Sequence, residues 1–115
     1  MNLINTYEEQ IKKSRFIAYY YEVFNINEIK EILDQLKKEH KKARHLPYAY
    51  KIDNIVKKSD DKEPNGTAGS PIYNIIEKQQ LNNCLIVVVR YFGGIKLGAG
   101  GLLRAYSSAA NNVVK

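Results

Sequence analysis

Cysteine, histidine and long apolar runs are all scarce in this chain, and each scarcity removes a class of function. A single cysteine, Cys84, in 115 residues excludes an internal disulfide and a cysteine-based zinc site. Its place beside Leu85, Ile86 and Val87 suits a small buried side chain better than a reactive thiol. The longest apolar run, residues 85–89, is far short of the roughly 20 residues that cross a bilayer. The opening MNLINTYEEQIKK holds no apolar stretch of signal-peptide length, so the expectation is a cytoplasmic protein without a membrane partner. His40 and His45 are the only histidines, and neither a Ser-His-Asp set nor a paired-carboxylate spacing stands out. No catalytic residue, metal ligand or cofactor is assigned on that basis. Acid is missing locally: residues 82–115 carry four basic side chains and no acidic one.

What is present describes one domain, residues 1–115. Hydrophobic residues at 44% and charged residues at 26% lie well away from the composition of disordered chains, so the sequence folds. A formal charge of +6 favours an anionic partner without naming it. Two basic patches carry it: the acid-free last third, and KKEHKKAR at 37–44, with five basic residues to one glutamate. The second has an ordinary explanation as a helix end, where the macrodipole favours lysine.

The chain divides into eight elements. Residues 3–23 read as two strands, the second being RFIAYYYEVF, whose aromatic and β-branched content suits a pleated surface. A helix follows from about residue 27 to 42, its stripe made by Ile29, Ile32, Leu33 and Leu36, with Asn25 or Asn27 as cap. HLPYAYKIDNIVKKSD reads as two short strands turning at Asp53 and Asn54, with Pro47 demanding an edge strand or an irregular start. After the loop DDKEPNGTAGSP, Ser70 and Pro71 open a short helix. CLIVVVRYF is a continuous apolar strand covered on both faces, and a last helix runs from about Gly98. The order β-β-α-β-β-α-β-α predicts an α+β fold with the helices packed on one face of a mixed sheet.

Five glycines crowd RYFGGIKLGAGGLLRAYSSA, residues 90–109. The dinucleotide fingerprint fails because Leu103 occupies its sixth position, and a Walker A loop fails because Lys96 precedes Gly98 rather than following it. What remains is physical. Glycines let backbone amides approach a ligand, and a helix start leaves N–H groups free on a positive dipole end. An anion site is therefore expected from the amides at Gly98, Gly100 and Gly101, with Arg90, Lys96 and Arg104 converging on it and His45 at its rim. The alternative is a tight turn whose glycines only let the helix sit close to the sheet.

The loop SDDKEPNGTAGSP supplies Asp60, Asp61 and Glu63. Three carboxylates so close can hold Mg²⁺, can be solvated turn residues, or can pair with the basic patches and tie the loop to the domain.

Three segments, ARHLPYAYK (43–51), SDDKEPNGTAGSPI (59–72) and RYFGGIKLGAGGLLRAYSSA (90–109), resemble the signatures of the IMPACT/YigZ family, and KKSRFIA (12–18) fits its opening motif. Pro47 stands where that family usually has cysteine, Lys62 where it has glycine and Asn65 where it has serine. The resemblance implies a ribosomal protein S5 domain 2-like fold, a nucleic-acid-binding or translation-regulating role, and RNA, the ribosome or a protein partner as what is bound. It also implies a ferredoxin-like domain after this one, which residues 1–115 do not include. Eukaryotic members are expected to bind a ribosome-associated activator of the amino-acid-starvation kinase. The superfamily's small-molecule kinases keep an alternative open, an Mg²⁺-dependent enzyme acting on a phosphate or acyl compound, with Asp60, Asp61 or Glu63 as metal ligand or base.

Overall fold

Two lysines turn the first hairpin. In the computed structural model, which describes residues 2–115, β1 (Asn2–Ile11) pairs antiparallel with β2 (Ser14–Glu22) and Ile11 faces Ser14. The loop is therefore Lys12 and Lys13 alone, both left-handed with φ of 47° and 69°, as a two-residue hairpin matching the strand twist requires. Helix α1 (Ile26–Glu39) starts with a reciprocal cap: Asn25 Oδ1 accepts from the Glu28 N–H, and Glu28 Oε2 accepts from the Asn25 N–H, each at 3.1 Å. Two of the orphan amides at the helix start are satisfied in this way. Strands β3 (Tyr48–Ile52) and β4 (Ile55–Ser59) form the second hairpin. Helix α2 (Gly69–Lys78), strand β5 (Cys84–Tyr91) and helix α3 (Gly98–Val113) complete the chain.

The sheet runs in the order β1-β2-β5-β3-β4, and every neighbouring pair is antiparallel. The α+β class and the element order stand as expected; the mixed sheet does not. The single layer of helices is also corrected. Along β5, Cys84, Ile86 and Val88 pack with Ile72, Ile76, Leu102, Tyr106 and other residues of α2 and α3. Leu85, Val87 and Val89 pack with Ile29, Ile32 and Leu36 of α1. Alternate residues of a strand point to opposite faces, so α1 covers one side and α2 with α3 the other. This is why β5 is apolar without a break, and why Tyr19, Tyr20 and Tyr21 show no single inward register: both faces of β2 have a core to join.

Pro47 marks an irregular start rather than an edge. β3 begins one residue later and lies inside the sheet between β5 and β4. The Pro47 carbonyl accepts from Val88 at 3.0 Å, and the pairing continues to a bridge between His45 and Arg90. Cys84 is buried, and burial pushes its thiol up to about 11, as a core residue requires.

Candidate functional site

Arg90 occupies the last inward position of β5, opposite Phe16 of β2. Its cross-strand neighbour shares its face of the sheet, and that is the face covered by α3. There Nη1 donates to Glu63 Oε2 at 2.7 Å, and the Tyr106 hydroxyl of α3 donates to the same oxygen at 2.5 Å. Arg90 is 5% exposed and Glu63 7%, so the pair lies inside the protein rather than on a rim. A carboxylate can be buried there because two donors meet it. Burial and then the adjoining Glu63 carboxylate drive the Tyr106 phenol far above its ordinary range. Tyr106 thus remains a neutral donor.

His45 completes the cluster from the other side. Its Nδ1 lies 2.7 Å from the Asp61 carbonyl oxygen, which can only accept, so that nitrogen is assigned the proton. Nε2 faces Glu63 Oε1 at 3.4 Å. Three residues from two separate motifs therefore converge on a glutamate of the third.

The other acidic side chains of the loop also turn inward. Asp60 Oδ2 accepts from Gly66 N–H at 2.9 Å, and Oδ1 accepts from Gly69 at 2.8 Å and Ala68 at 3.1 Å. Burial works against the charged form of Asp60, but the three amides outweigh it and hold the carboxyl below its usual value. Asp60 is in effect the cap of α2. Ser70, the expected cap, lies inside the helix, whose N-cap position is Ala68. Asp61 Oδ2 accepts from the Leu46 N–H at 2.6 Å. The three carboxylates thus face three different protein partners, and they gather no cage for Mg²⁺ among the described residues. The ion-paired loop is the arrangement the protein adopts.

The start of α3 is a different environment. Gly98 is left-handed (φ 73°), no side chain caps the helix, and Gly98, Ala99 and Gly100 are exposed. Arg104 folds back over this turn: a Cβ on Gly100 would lie 3.3 Å from its Nη1. Arg104 also lines a cavity of about 390 Å³ with Lys12, Ser108 and the apolar Ile11, Leu97 and Ala105. Lys96 is exposed in the preceding loop. The expected convergence of three cations is therefore divided. Arg104 attends the open helix start, whereas Arg90 is committed to Glu63, and His45 belongs with Arg90 rather than at the glycine rim. The absence of a side chain at Gly93 permits a close join here, since a Cβ on Gly93 would fall 1.9 Å from the Lys13 carbonyl oxygen. The hairpin turn and the glycine loop are pressed together there.

Lys12, absent from the sequence-based site, is the cation that replaces Arg90 beside Arg104. No turn signal announced it, because a two-residue loop of this kind is normally marked by Asn-Gly or Asp-Gly. Tyr106 was not among the sequence-based site residues either, because a tyrosine hydroxyl gives no signal in a helical pattern.

Residues 12–114 match the Impact N-terminal domain. The IMPACT family member YvyE of Bacillus subtilis is 46% identical over 108 residues, which cover 91% of this chain and 50% of that protein. A crystal structure described as that of a hypothetical protein superposes with a TM-score of 0.92 at 36% identity, covering 96% of this chain and 56% of the other. A structure described as the two-domain translational regulator Yih1 superposes at 0.52 with 25% identity, over 98% of this chain and 45% of that one. The chain spans about half the length of these relatives.

Proposed function

The chain belongs to the Impact N-terminal domain family, and from that premise we propose that it is a binding module of translation control, engaging RNA phosphates, on the ribosome or free, through the cationic surface at the start of α3. One observation carries this. Lys12 and Arg104 flank one cavity beside a helix start whose first residues are glycine and alanine, uncapped and open to solvent. Backbone amides on a positive dipole end, with flexible cations around them, suit a phosphate oxygen. The likeness to a protein described as a translational regulator supports the biological setting.

Titration of the chain against RNA at salt between about 50 and 200 mM tests the proposal, because each phosphate contact adds a definite slope of log affinity on log salt. Binding should weaken steeply over that range, and Lys96→Gln with Arg104→Gln should weaken it and flatten the slope. Absence of binding, or binding indifferent to salt, overturns it.

A protein partner is the second reading. It is favoured by Ile95 and Leu103, 42% and 46% exposed beside the same loop, since apolar side chains on a basic surface suit a protein interface more than a phosphate backbone.

A further inference from the structure

Segments far apart in the chain meet at one end of the sheet. His40, which closes α1, sits between two phenols: Nε2 is 2.7 Å from the Tyr19 hydroxyl and Nδ1 is 2.5 Å from the Tyr91 hydroxyl. Tyr19 belongs to β2 and Tyr91 ends β5. The bridge therefore seats the lysine-rich end of α1 beside the point where the glycine loop leaves the sheet. Two residues after the exposed Lys41 and Lys42, Arg44 donates its N–H to the Arg90 carbonyl at 2.9 Å. This places its guanidinium 4.8 Å from the centre of the Phe92 ring. Phe92, 36% exposed, is the first residue of the glycine loop. Gly93 of that loop is pressed against the Lys12 and Lys13 turn, and Lys96 is exposed within the loop.

The two basic patches thus meet at Phe92, an exposed ring with the Arg44 guanidinium 4.8 Å and the buried Arg90 guanidinium 5.6 Å from its centre. Three carboxylates lie near this surface: Glu8 is taken by Arg15 at 2.8 Å, Glu63 is buried, and Glu39, at the end of α1 and bonded to Gln35, is the exposed one, set against Lys37, Lys38, Lys41 and Lys42. Lysines alone would suit any polyanion. The cation–π pair narrows the choice, because an exposed ring with a guanidinium beside it offers a planar face to an unpaired base, and such bases are available in single strands and hidden in duplexes.

We infer that this end of the domain is a track for single-stranded RNA, in which Lys41, Lys42 and Lys96 hold phosphates and the Arg44–Phe92 pair stacks a base. The inference rests on the RNA reading above and specifies its ligand and its extent.

Anisotropy titration of the full chain with an adenine homopolymer of about twelve nucleotides, and with an RNA duplex of equal length, tests it. The single strand should bind about tenfold or more tightly than the duplex, and Phe92→Leu should lose about tenfold on the single strand alone. Lys41→Gln with Lys42→Gln should lower the salt slope by about 1.4, two contacts at the single-strand value. In the unsubstituted chain, the Phe92 ring protons should shift upfield as the homopolymer is added, a readout that needs no variant to fold. Equal affinity for duplex, or unchanged binding by Phe92→Leu with no ring shift, overturns the track. If salt-dependent binding still falls with Lys12→Gln and Arg104→Gln, residues outside the track, only the track is lost. If the chain binds no RNA, or binds only an acidic protein, both proposals fall.

Discussion

Arg90 and Glu63, twenty-seven positions apart, form a buried ion pair with Nη1 2.7 Å from Oε2, and through it the acidic loop is fastened to the central strand. Both groups are withdrawn from solvent, so their worth lies in being matched to each other. Removing one leaves the other charged and unpaired inside the fold, a situation that costs about 3–5 kcal/mol. Arg90→Met should therefore lower unfolding free energy by about that amount in urea titration. Arg90→Met together with Glu63→Leu should recover a large part of the loss, since the second charge is gone as well. A double variant no more stable than the single one would show that the pair does something other than balance charge.

Asp60 ties acid sensitivity to the start of α2. Its folded carboxyl titrates below the ordinary value of 3.8, so the charged form stabilises the fold at pH above that value. The contribution is lost as pH falls through the depressed folded value. Asp60→Ala should cost about 0.5–2 kcal/mol at neutral pH, as loss of a helix cap does, and should flatten the decline in stability at acidic pH. Chemical denaturation from pH 7 downward, run on both proteins, checks the sign.

The tyrosines set the opposite limit. Burial raises the phenols of Tyr21, to about 12, and of Tyr106 further still. In the unfolded chain they ionise near the usual value of 10. The unfolded state therefore releases protons first, and stability is intact below that value and falls as pH rises above it. A phenolate absorbance titration should show exposed tyrosines ionising early and Tyr106 only as the protein unfolds. Ionisation of all nine tyrosines in one wave without loss of structure would contradict the burial of Tyr106.

A loop glycine and a helical glycine should respond in opposite ways. Gly93→Ala forces a methyl into the Lys13 backbone and should destabilise the fold by about 1–3 kcal/mol, as overpacking does. Gly100→Ala meets only the flexible end of Arg104 and gains helix propensity, so it should stabilise by up to about 1 kcal/mol. It should also weaken RNA binding, by displacing Arg104 from the helix start. Thermal unfolding and the salt titration separate the two effects.

Much of this fold was legible because local patterns and burial agree. An asparagine cap at residue 25 or 27, the stripe through Ile29, Ile32 and Leu36, and the unbroken run of β5 each announce their element without knowledge of the rest, although only the structure chose Asn25. Helix placement was not legible in the same way. A stripe says that a helix is buried on one side, not which side of the sheet receives it, and α1 took the face opposite to α2 and α3. Within the candidate site, residue types were informative and their partners were not. Glu63, Arg90 and His45 stood out as ionisable, but nothing in their spacing distinguishes an arginine pointing at a ligand from one pointing at a glutamate.

By itself, then, the amino-acid order determined the elements and their order, the absence of disulfide chemistry and the concentration of positive charge, since these depend on neighbours within a few turns of chain. Tertiary structure alone decided which charges are spent inside and which remain outside. Arg90 was neutralised because β5 delivers it to the covered face beside Tyr106, and Lys12 and Arg44 were brought to the glycine loop by a hairpin turn and a strand bridge. Burial and pairing depend on distances through space, and those come into being only when the sheet and its two helical layers close.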